Sequence, residues 1–430
     1  MQRGAQPPAP ACAGDADTFW QRWACLGAVL VPGLALTLPS GYSYGAVLLL
    51  VAALCTAPRW FRRPLPPQGA ALALLFAAMG LLWLLDEHAL GGWGSLDRPI
   101  KYLLALPCVF FLMVWPPQPA CLAAGIALGG IGAGAVGLYQ TLAQGLPRAS
   151  GFTNAIQYGD LAVLLALQSG LLLAVLWRQL AGGPRALLAA SVLLGLLASG
   201  LSQSRGGWLA LALLLPICAG LLARATGARR ASLGLAALAL AAGLLAQVPS
   251  VEQRMALAQE EAQSYLDGGN GASSVGHRLA HWRLAWSMGL ERPFTGWGRV
   301  GYEQEKARRV AQGRAPEVVL QFNHAHNEAL DLWAKHGGGG VLLLLIFYTV
   351  PLWLMWPTRA RIHDARGELD RPALALCLVG VMLPLSYAAF GLTQVFLAHN
   401  SGNLFYLFMC PLTLAALHQR QARRDAGAAA

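Results

Sequence analysis

Residues 186–203, ALLAASVLLGLLASGLSQ, carry no charge and are long enough to cross the hydrocarbon core of a membrane as one helix. Eleven runs of similar character occur elsewhere in a chain that is 56% hydrophobic and 12% charged. The alternating pattern of a membrane β-barrel is absent, so the runs are read as helices. The sequence predicts an all-α polytopic membrane protein with about 12 transmembrane helices. The other predicted spans are 22–40, 43–57, 68–86, 100–115, 119–141, 158–178, 207–223, 231–248, 337–357, 372–391 and 394–417.

The basic residues of the short connections are distributed unevenly between the two sides. With the N-terminus in the cytoplasm, 17 Lys and Arg residues fall on the inner side and 4 on the outer side. Cytoplasmic loops of membrane proteins carry such an excess. The sequence therefore predicts cytoplasmic termini. Most of the net charge of +11 is explained by this excess of basic residues on the inner side, so no nucleic-acid partner is expected. The four outer residues are Arg98, Lys101, Arg148 and Arg205.

One long polar stretch, residues 249–336, interrupts the succession of spans. It contains 10 of the 20 acidic residues, 5 of the 9 histidines and none of the eight cysteines. We expect it to be a partly helical periplasmic loop that carries the functional motifs. The predicted organisation is a disordered cytoplasmic tail at 1–21, transmembrane helices 1–9 at 22–248, the periplasmic loop region at 249–336, transmembrane helices 10–12 at 337–417 and a cytoplasmic tail at 418–430.

The sequence SQSRGGW at residues 202–208 lies at an outward turn between the seventh and eighth spans. A charge at membrane depth costs about 2.5–3.5 kcal/mol, so Arg205 requires a partner or water. Two neighbouring glycines and the start of a helix with unpaired N–H groups are suited to binding a phosphate. The alternative is an arginine that extends to the membrane interface beside a tight turn. The residues alone leave both readings open.

The sequence QFNHAHNE at residues 321–328 precedes the tenth span. His324 and His326 would point to one side of a strand, where they could bind a metal, but to different sides of a helix. No cysteine or carboxylate completes a zinc motif, so we expect no metal. An outward-facing histidine, with an unperturbed pKa of about 6.5, is suited to act as a general base. The alternative is a histidine that only holds the loop against a span.

An amphipathic helix is predicted over residues 276–290 of the same loop. Its apolar face would comprise Leu279, Trp282, Trp286 and Leu290, with Arg278, His281 and Arg283 around it. Trp and Arg on such a helix are typical of a position at the membrane surface. Arg278 is thus a candidate site residue, although arginines of amphipathic helices are more often solvated. Arg148, in RASGFTN at 148–154, and His399, near the start of the last span, are further candidates.

Taken together, these segments resemble the O-antigen ligase (WaaL) family and the wider Wzy_C-type membrane glycosyltransferase superfamily. The matching segments are SRGGWLA at 204–210, Arg278 with Trp282 ahead of ERPFTGWG at 291–298, HAHNEAL at 324–330 and RASGFTN at 148–154. Each motif is moderately specific by itself. Their order and spacing within a twelve-span layout make the combination distinctive.

The resemblance implies a glycosyltransferase that works without a metal or other cofactor at the periplasmic face of a Gram-negative inner membrane. The donor would be a glycan on undecaprenyl pyrophosphate, and the acceptor a sugar hydroxyl of lipid A–core in lipopolysaccharide assembly. His326 matches the essential histidine of the family, and Arg205 and Arg278 match its essential arginines. We expect His326 to activate the acceptor in an inverting displacement while the arginines, Arg148 included, hold the pyrophosphate. Secondary candidates are His324, Asn327 and His399.

Two kinds of alternative function stay open. An O-antigen polymerase or a protein O-oligosaccharyltransferase would use the same donor with another acceptor, and the short segment after the last span favours the ligase. A transporter of lipid-linked sugars would place ionisable groups at mid-span and in broken helices. Here the spans contain few charges and the polar groups gather at one face. This distribution favours chemistry at the membrane surface.

Overall fold

The computed structural model describes residues 15–88, 96–226, 249–267, 272–364 and 366–429. Within them the regular structure is helical, with one isolated β-bridge between His363 and Leu369. The predicted all-α class is confirmed. The helices are α1 (Asp15–Leu34), α2 (Gly41–Cys55), α3 (Ala57–Trp60), α4 (Pro67–His88), α5 (Asp97–Val114), α6 (Pro119–Leu138), α7 (Ala155–Leu176), α8 (Gly182–Ser202), α9 (Arg205–Thr226), α10 (Pro249–Leu266), α11 (Ser274–Glu291), α12 (Gly298–Ala311), α13 (Glu328–Met355), α14 (Arg359–Ile362), α15 (Arg371–Phe390) and α16 (Asn400–Ala429). A π-helix (Tyr139–Ala143) extends α6, and 3-10 helices occur at Glu317–Leu320 and Phe396–Ala398.

Seven described helices are long and apolar enough to cross a membrane: α4, α6 with its π-helical extension, α7, α8, α9, α13 and α15. The protein is therefore a multi-pass membrane protein, but the number twelve is not confirmed. The predicted spans in α1, α5 and α16 are helical without belonging to the seven, and α2 has only 15 residues. Helix α5 is not among the seven because it contains three charged residues, Asp97, Arg98 and Lys101. The predicted span 231–248 lies outside the described residues.

Several predicted boundaries differ from the observed ones. Helix α1 begins at Asp15, so the end of the predicted disordered tail is helical; residues 1–14 lie outside the described part. The last long helix begins at Asn400 rather than at residue 394, and it continues to Ala429, well into the predicted C-terminal tail. Helix α13 begins at Glu328, before the predicted span, and Gly337 (φ 63°) interrupts its helical geometry at the predicted boundary.

Glycines allow α6 to pack closely against two neighbouring helices. A Cβ atom at Gly125 would lie 2.4 Å from the carbonyl oxygen of Ala28 in α1, and one at Gly129 would lie 2.3 Å from that of Pro32. On another face, a Cβ atom at Gly130 would lie 2.2 Å from Ser191 Oγ in α8. Small residues spaced four apart permit such contacts between membrane helices. The glycine content of α6 is thus explained by its packing.

The polar stretch after α9 forms a small helical unit with its own hydrophobic core. Helices α11 and α12 both pack against α13. The core combines residues of α11 with residues of the following segments: Ala280, Leu284, Ala285, Met288, Tyr302, Val318, Val319, Ala325 and Ala334. This unit places α11 and residues 321–327 beside the helices that fit a membrane.

The predicted helix at 276–290 is confirmed in α11, but it packs through a different face. Of the predicted apolar face, Trp286 is 55% exposed and Leu290 is 56% exposed. His281, expected at the border, is fully buried. Toward the protein, the helix buries small residues and a histidine. The exposed Trp face remains compatible with the predicted position at a membrane surface.

The turn at 291–298 packs against residues 334 and 335 of α13. The N–H of Trp297 donates to the carbonyl oxygen of Ala334 (3.0 Å), and its indole Nε1 donates to that of Met288 (2.8 Å). Gly296 has φ 62°, and a Cβ atom there would lie 2.3 Å from the backbone of Lys335. Only glycine combines this backbone conformation with this close approach. The turn is therefore a packing element of the loop region.

The substitution Gly125→Val should push α1 away from α6, because the added side chain has no space beside the carbonyl oxygen of Ala28. Overpacking of this kind costs about 1–3 kcal/mol. We expect a lower midpoint of thermal unfolding in detergent. The matched control is Gly220→Val in α9, where a Cβ atom meets nothing within 4 Å. Equal midpoints for the two variants would contradict the packing account.

Candidate functional site

Five segments from distant parts of the sequence meet at one end of the helices. They are the turn 148–154, the N-terminus of α9, helix α11, residues 321–327 (the histidine loop) and residues 391–399 (the α15–α16 turn). Hydrogen bonds connect the last two: Asn327 Nδ2 donates to Leu392 O (3.1 Å), and the adjacent N–H of Glu328, at the start of α13, donates to Gly391 O (2.8 Å). The segments with the predicted motifs are therefore neighbours in space.

The histidine loop is neither helix nor strand, so neither predicted side-chain arrangement applies. His326 adopts a left-handed backbone conformation with φ 53°. Such a conformation costs roughly 1–2 kcal/mol for a residue with a side chain. The N–H of His326 donates to Nδ1 of His324 at 3.3 Å. The surrounding structure thus imposes an unfavourable backbone conformation at the predicted site residue, as is common at functional sites.

Buried charged side chains hold the main chain of the histidine loop. Lys306 Nζ donates to Phe322 O (2.5 Å), and Lys335 Nζ donates to Asn323 O (2.9 Å). Asp331 Oδ1 accepts the N–H of Ala325 (2.9 Å). Hydrogen bonds to charged groups contribute about 1.5–3 kcal/mol each. The conformation around His326 is therefore fixed by side chains of α12 and α13.

The imidazole of His326 is 8% exposed and surrounded by other rings. Ring centroids lie at 4.4 Å for His324, 4.6 Å for Phe322 and 5.5 Å for His281. Nδ1 lies 3.2 Å from Gln394 Oε1, while Nε2 is buried and bonds to no described protein atom. Burial, reinforced by the charge of Arg278, lowers the pKa of His326 to about 4. At neutral pH the ring is thus uncharged and can accept a proton.

Two further histidines of the site are also kept neutral. Burial lowers the pKa of both His281 and His324 to about 3. The charge of the neighbouring His326 lowers both pKa values further. Neither ring nitrogen of His281 has a hydrogen-bond partner among the described residues. In the described part of the chain, no three His, Cys, Asp or Glu side chains are grouped so that they could hold a metal ion.

Two of the predicted arginines, Arg205 and Arg148, lie within electrostatic reach of the third, Arg278. Burial lowers the pKa of Arg278, and the charges of Arg205 and Arg148 lower it further, whereas Asp160 and Glu261 raise it. Arg205 Nη1 lies 3.4 Å from Glu261 Oε2. Arg205 Nη2 and Arg278 Nε are buried and bond to no described protein atom. The cluster thus combines three cations with two carboxylates and retains donors that an anion could use.

The side chain of Asp160 lies at the N-terminus of α9, beside the two glycines that follow Arg205. Its Oδ1 accepts the hydroxyl hydrogen of Ser204 (2.7 Å), and the carboxylate also accepts the backbone N–H of Gly207. A Cβ atom at Gly207 would lie 2.9 Å from Asp160 Oδ1, and one at Gly206 would lie 2.6 Å from Thr393 Oγ1. The two glycines therefore make room for protein side chains. An acidic group here stabilises the start of α9, and its charge also interacts with that of Arg278.

The remaining candidates lie at the edges of this arrangement. Arg148 Nε donates to Ser202 O (2.9 Å), which joins the 148–154 turn to the end of α8. Asn327 caps α13, accepting the N–H of Leu330 (3.0 Å) and donating to Leu392 O (3.1 Å). The ring of His399 lies 5.9 Å from that of His324. These contacts give Asn327 a structural role and place His399 next to His324 of the histidine loop.

Four residues of the site were missed by the sequence reasoning: Asp160, Glu261, Lys306 and Gln394. Asp160 carried a usable signal, because a carboxylate within an otherwise apolar span requires a partner. Lys306 lies in the polar stretch 249–336, yet its side chain is fully buried. Gln394 was assigned to a span, and its contact with His326 joins residues 68 positions apart. Sequence spacing contains no information about such a contact.

The fold and the site define a multi-pass helical membrane protein with a histidine and arginine centre at one end of its helices. Residues 189–347, which include Arg205, Arg278 and His326, match the model of the Wzy_C family, described as O-antigen ligase. The match confirms the family resemblance found in the sequence and indicates a membrane enzyme of the glycosyltransferase type. A Haemophilus influenzae protein named "Uncharacterized protein" is 25% identical over 377 residues, which cover 86% of this chain and 92% of that protein.

Lys306→Met should loosen the histidine loop, because Phe322 O loses a charged donor while the buried methylene groups are largely preserved. We expect the amides of residues 323–327 to exchange with deuterium about 10- to 100-fold faster. Mass spectrometry of the protein in nanodiscs measures this rate. Arg308→Met, a half-exposed site on the same helix, is the matched control and should leave exchange unchanged. Unchanged exchange in Lys306→Met would contradict the proposed clamp.

Proposed function

We propose that this protein is an O-antigen ligase of the Gram-negative inner membrane, with its site facing the periplasm. It would transfer a glycan from undecaprenyl pyrophosphate to a sugar hydroxyl of lipid A–core. Arg205, Arg278 and Arg148 would hold the pyrophosphate, and His326 would act as the general base. The match to a family described as O-antigen ligase supports the reaction class. The donor, the acceptor and the residue roles are parts of the proposal.

One observation carries the proposal. Arg205 Nη2, Arg278 Nε and His326 Nε2 are all buried, and none bonds to a described protein atom. The charge of Arg205 acts on Arg278, and the charge of Arg278 acts on His326, so the three side chains share one electrostatic environment. Buried polar groups without partners are costly and uncommon. Two cationic donors beside a neutral acceptor suit a pyrophosphate next to a hydroxyl group.

The chemistry follows from the charges that change during transfer. The acceptor oxygen forms a bond to the anomeric carbon, while the bond from that carbon to the pyrophosphate oxygen breaks and inverts the centre. The electron pair of the broken bond stays on the undecaprenyl pyrophosphate, so negative charge grows there. Arginine guanidinium groups stabilise such charge without a metal. The hydroxyl proton moves to Nε2 of His326, which is neutral before the reaction.

His326→Asn tests the base assignment. Asn tolerates the left-handed backbone conformation of this position, so the loop should keep its shape. Loss of the base should lower transfer to lipid A–core by roughly 10²- to 10⁴-fold, with donor affinity unchanged. Transfer is measured by gel mobility of the product and affinity by titration with donor. His363→Asn, outside the site, is the control. Normal transfer by His326→Asn would refute the general-base role.

Arg205→Gln and Arg278→Gln test the pyrophosphate role. Each removes a charged donor that would be worth about 1.5–3 kcal/mol, so donor affinity should fall by roughly 10- to 100-fold. Arg283→Gln, an exposed arginine on α11, is the matched control and should bind donor normally. Binding is measured with the purified protein in nanodiscs. If both site variants bind donor as the control does, the arginines do not hold the pyrophosphate.

A further inference from the structure

Gln394 lies in the α15–α16 turn and is 4% exposed. Its backbone N–H donates to Phe390 O at 3.1 Å, which anchors it to the end of α15. Neighbouring residues of the turn accept from Asn327 Nδ2 and from the N–H of Glu328. The side chain therefore has a fixed position relative to the histidine loop. Its amide oxygen makes two contacts that together determine the protonation pattern of His326.

The first contact orients the amide of Gln394. The backbone N–H of Val395 donates to Gln394 Oε1 at 3.1 Å. A glutamine amide has one oxygen, which accepts, and one nitrogen, which donates. When the neighbouring group is an N–H donor, only the oxygen can face it, so the amide cannot be flipped. The atom at this position must therefore be the oxygen, because the amide nitrogen would place two donors against each other.

The second contact then settles which nitrogen of His326 carries the proton. Nδ1 of His326 lies 3.2 Å from the same oxygen, which can only accept. Nδ1 must therefore donate. A neutral imidazole has one N–H, so Nε2 keeps its lone pair. Nε2 is the nitrogen that is buried without a bond to any described protein atom. The base is thus prepared in the tautomer that can accept a proton from a substrate.

We propose that Gln394 is a positioning residue, which holds His326 in the Nδ1–H tautomer and so presents Nε2 to the acceptor hydroxyl. This inference rests on the proposed function. During transfer, the hydroxyl proton moves to Nε2, and the imidazolium formed keeps its Nδ1–H bond to the amide oxygen. A fixed hydrogen-bond partner on the other ring nitrogen is a general means of selecting the tautomer of a histidine.

Other groups around His326 do not supply this function. Helix α11 presents Arg278, His277 and His281, and helix α13 presents Asp331. His324 of the same loop bonds to the backbone N–H of His326 rather than to its ring. Lys306 and Lys335 donate to backbone carbonyl oxygens. Among the described residues, Gln394 is the side chain that lies within hydrogen-bond distance of the His326 ring.

The tautomer can be measured directly in the full-length wild-type protein. Solid-state NMR of protein labelled with 15N-histidine in lipid bilayers separates Nδ1–H from Nε2–H imidazole, and comparison with His326→Asn assigns the signal. The expected result is Nδ1–H at neutral pH in the wild type and a mixture of tautomers in Gln394→Met. An Nε2–H signal for wild-type His326 would overturn the proposal, whatever the effect of the substitutions on folding.

Kinetics provide the second readout. Gln394→Met should lower kcat by about 10²-fold or more without changing the KM for donor, and Gln179→Met, at an exposed glutamine outside the site, is the matched control. Gln394→Glu keeps the acceptor and adds a negative charge, which favours the charged imidazole. The acidic limb of its kcat/KM profile should therefore lie at higher pH than in the wild type. An unchanged acidic limb, or full kcat in Gln394→Met, would refute the positioning role, whereas an active His326→Asn would instead refute the base itself.

Discussion

The conformation of the histidine loop depends on a buried ion pair between Asp331 and Lys335, whose charged atoms are 2.9 Å apart. Each partner also binds main chain next to His324: Asp331 accepts the N–H of Ala325, and Lys335 donates to Asn323 O. A segment without regular structure must satisfy its backbone groups by other means. Breaking a buried pair costs about 3–5 kcal/mol because one charge is left uncompensated. The pair therefore imposes one shape on a loop that has no helical or sheet bonds.

The site combines a neutral histidine with a cluster of arginines, and this combination has a chemical consequence. The positive charge of Arg278 helps to lower the pKa of His326, so the ring remains uncharged beside the cations. In the proposed reaction, an anion bound at the arginines would offset part of that charge. The pKa of His326 would then rise, and the base would become stronger only when donor is present. Asp160 and Glu261 limit the repulsion among the arginines before donor binds.

The helical class could be predicted from the sequence, since uncharged apolar runs have few alternatives in a membrane. The motifs found in the sequence also lie on segments that the structure brings together. The sequence did not predict conformations that depend on tertiary contacts. Residues Val395–Ala398 are apolar and were read as the start of a span, yet the carboxylate of Glu328 binds the N–H of Leu397 and residues 391–399 form a turn. The two glycines after Arg205 make room for protein side chains, Thr393 beside Gly206 and Asp160 beside Gly207, which the sequence spacing did not predict.

The central claim is a transfer of glycan from a lipid pyrophosphate to lipid A–core by this chain alone. The most direct test incubates the purified protein with undecaprenyl-pyrophosphate glycan, with and without lipid A–core, in the presence of a chelator, and separates the products by gel mobility. The account predicts glycan-modified lipid A–core only when both substrates are present. Longer donor chains formed without lipid A–core, or no covalent product at all, would contradict it.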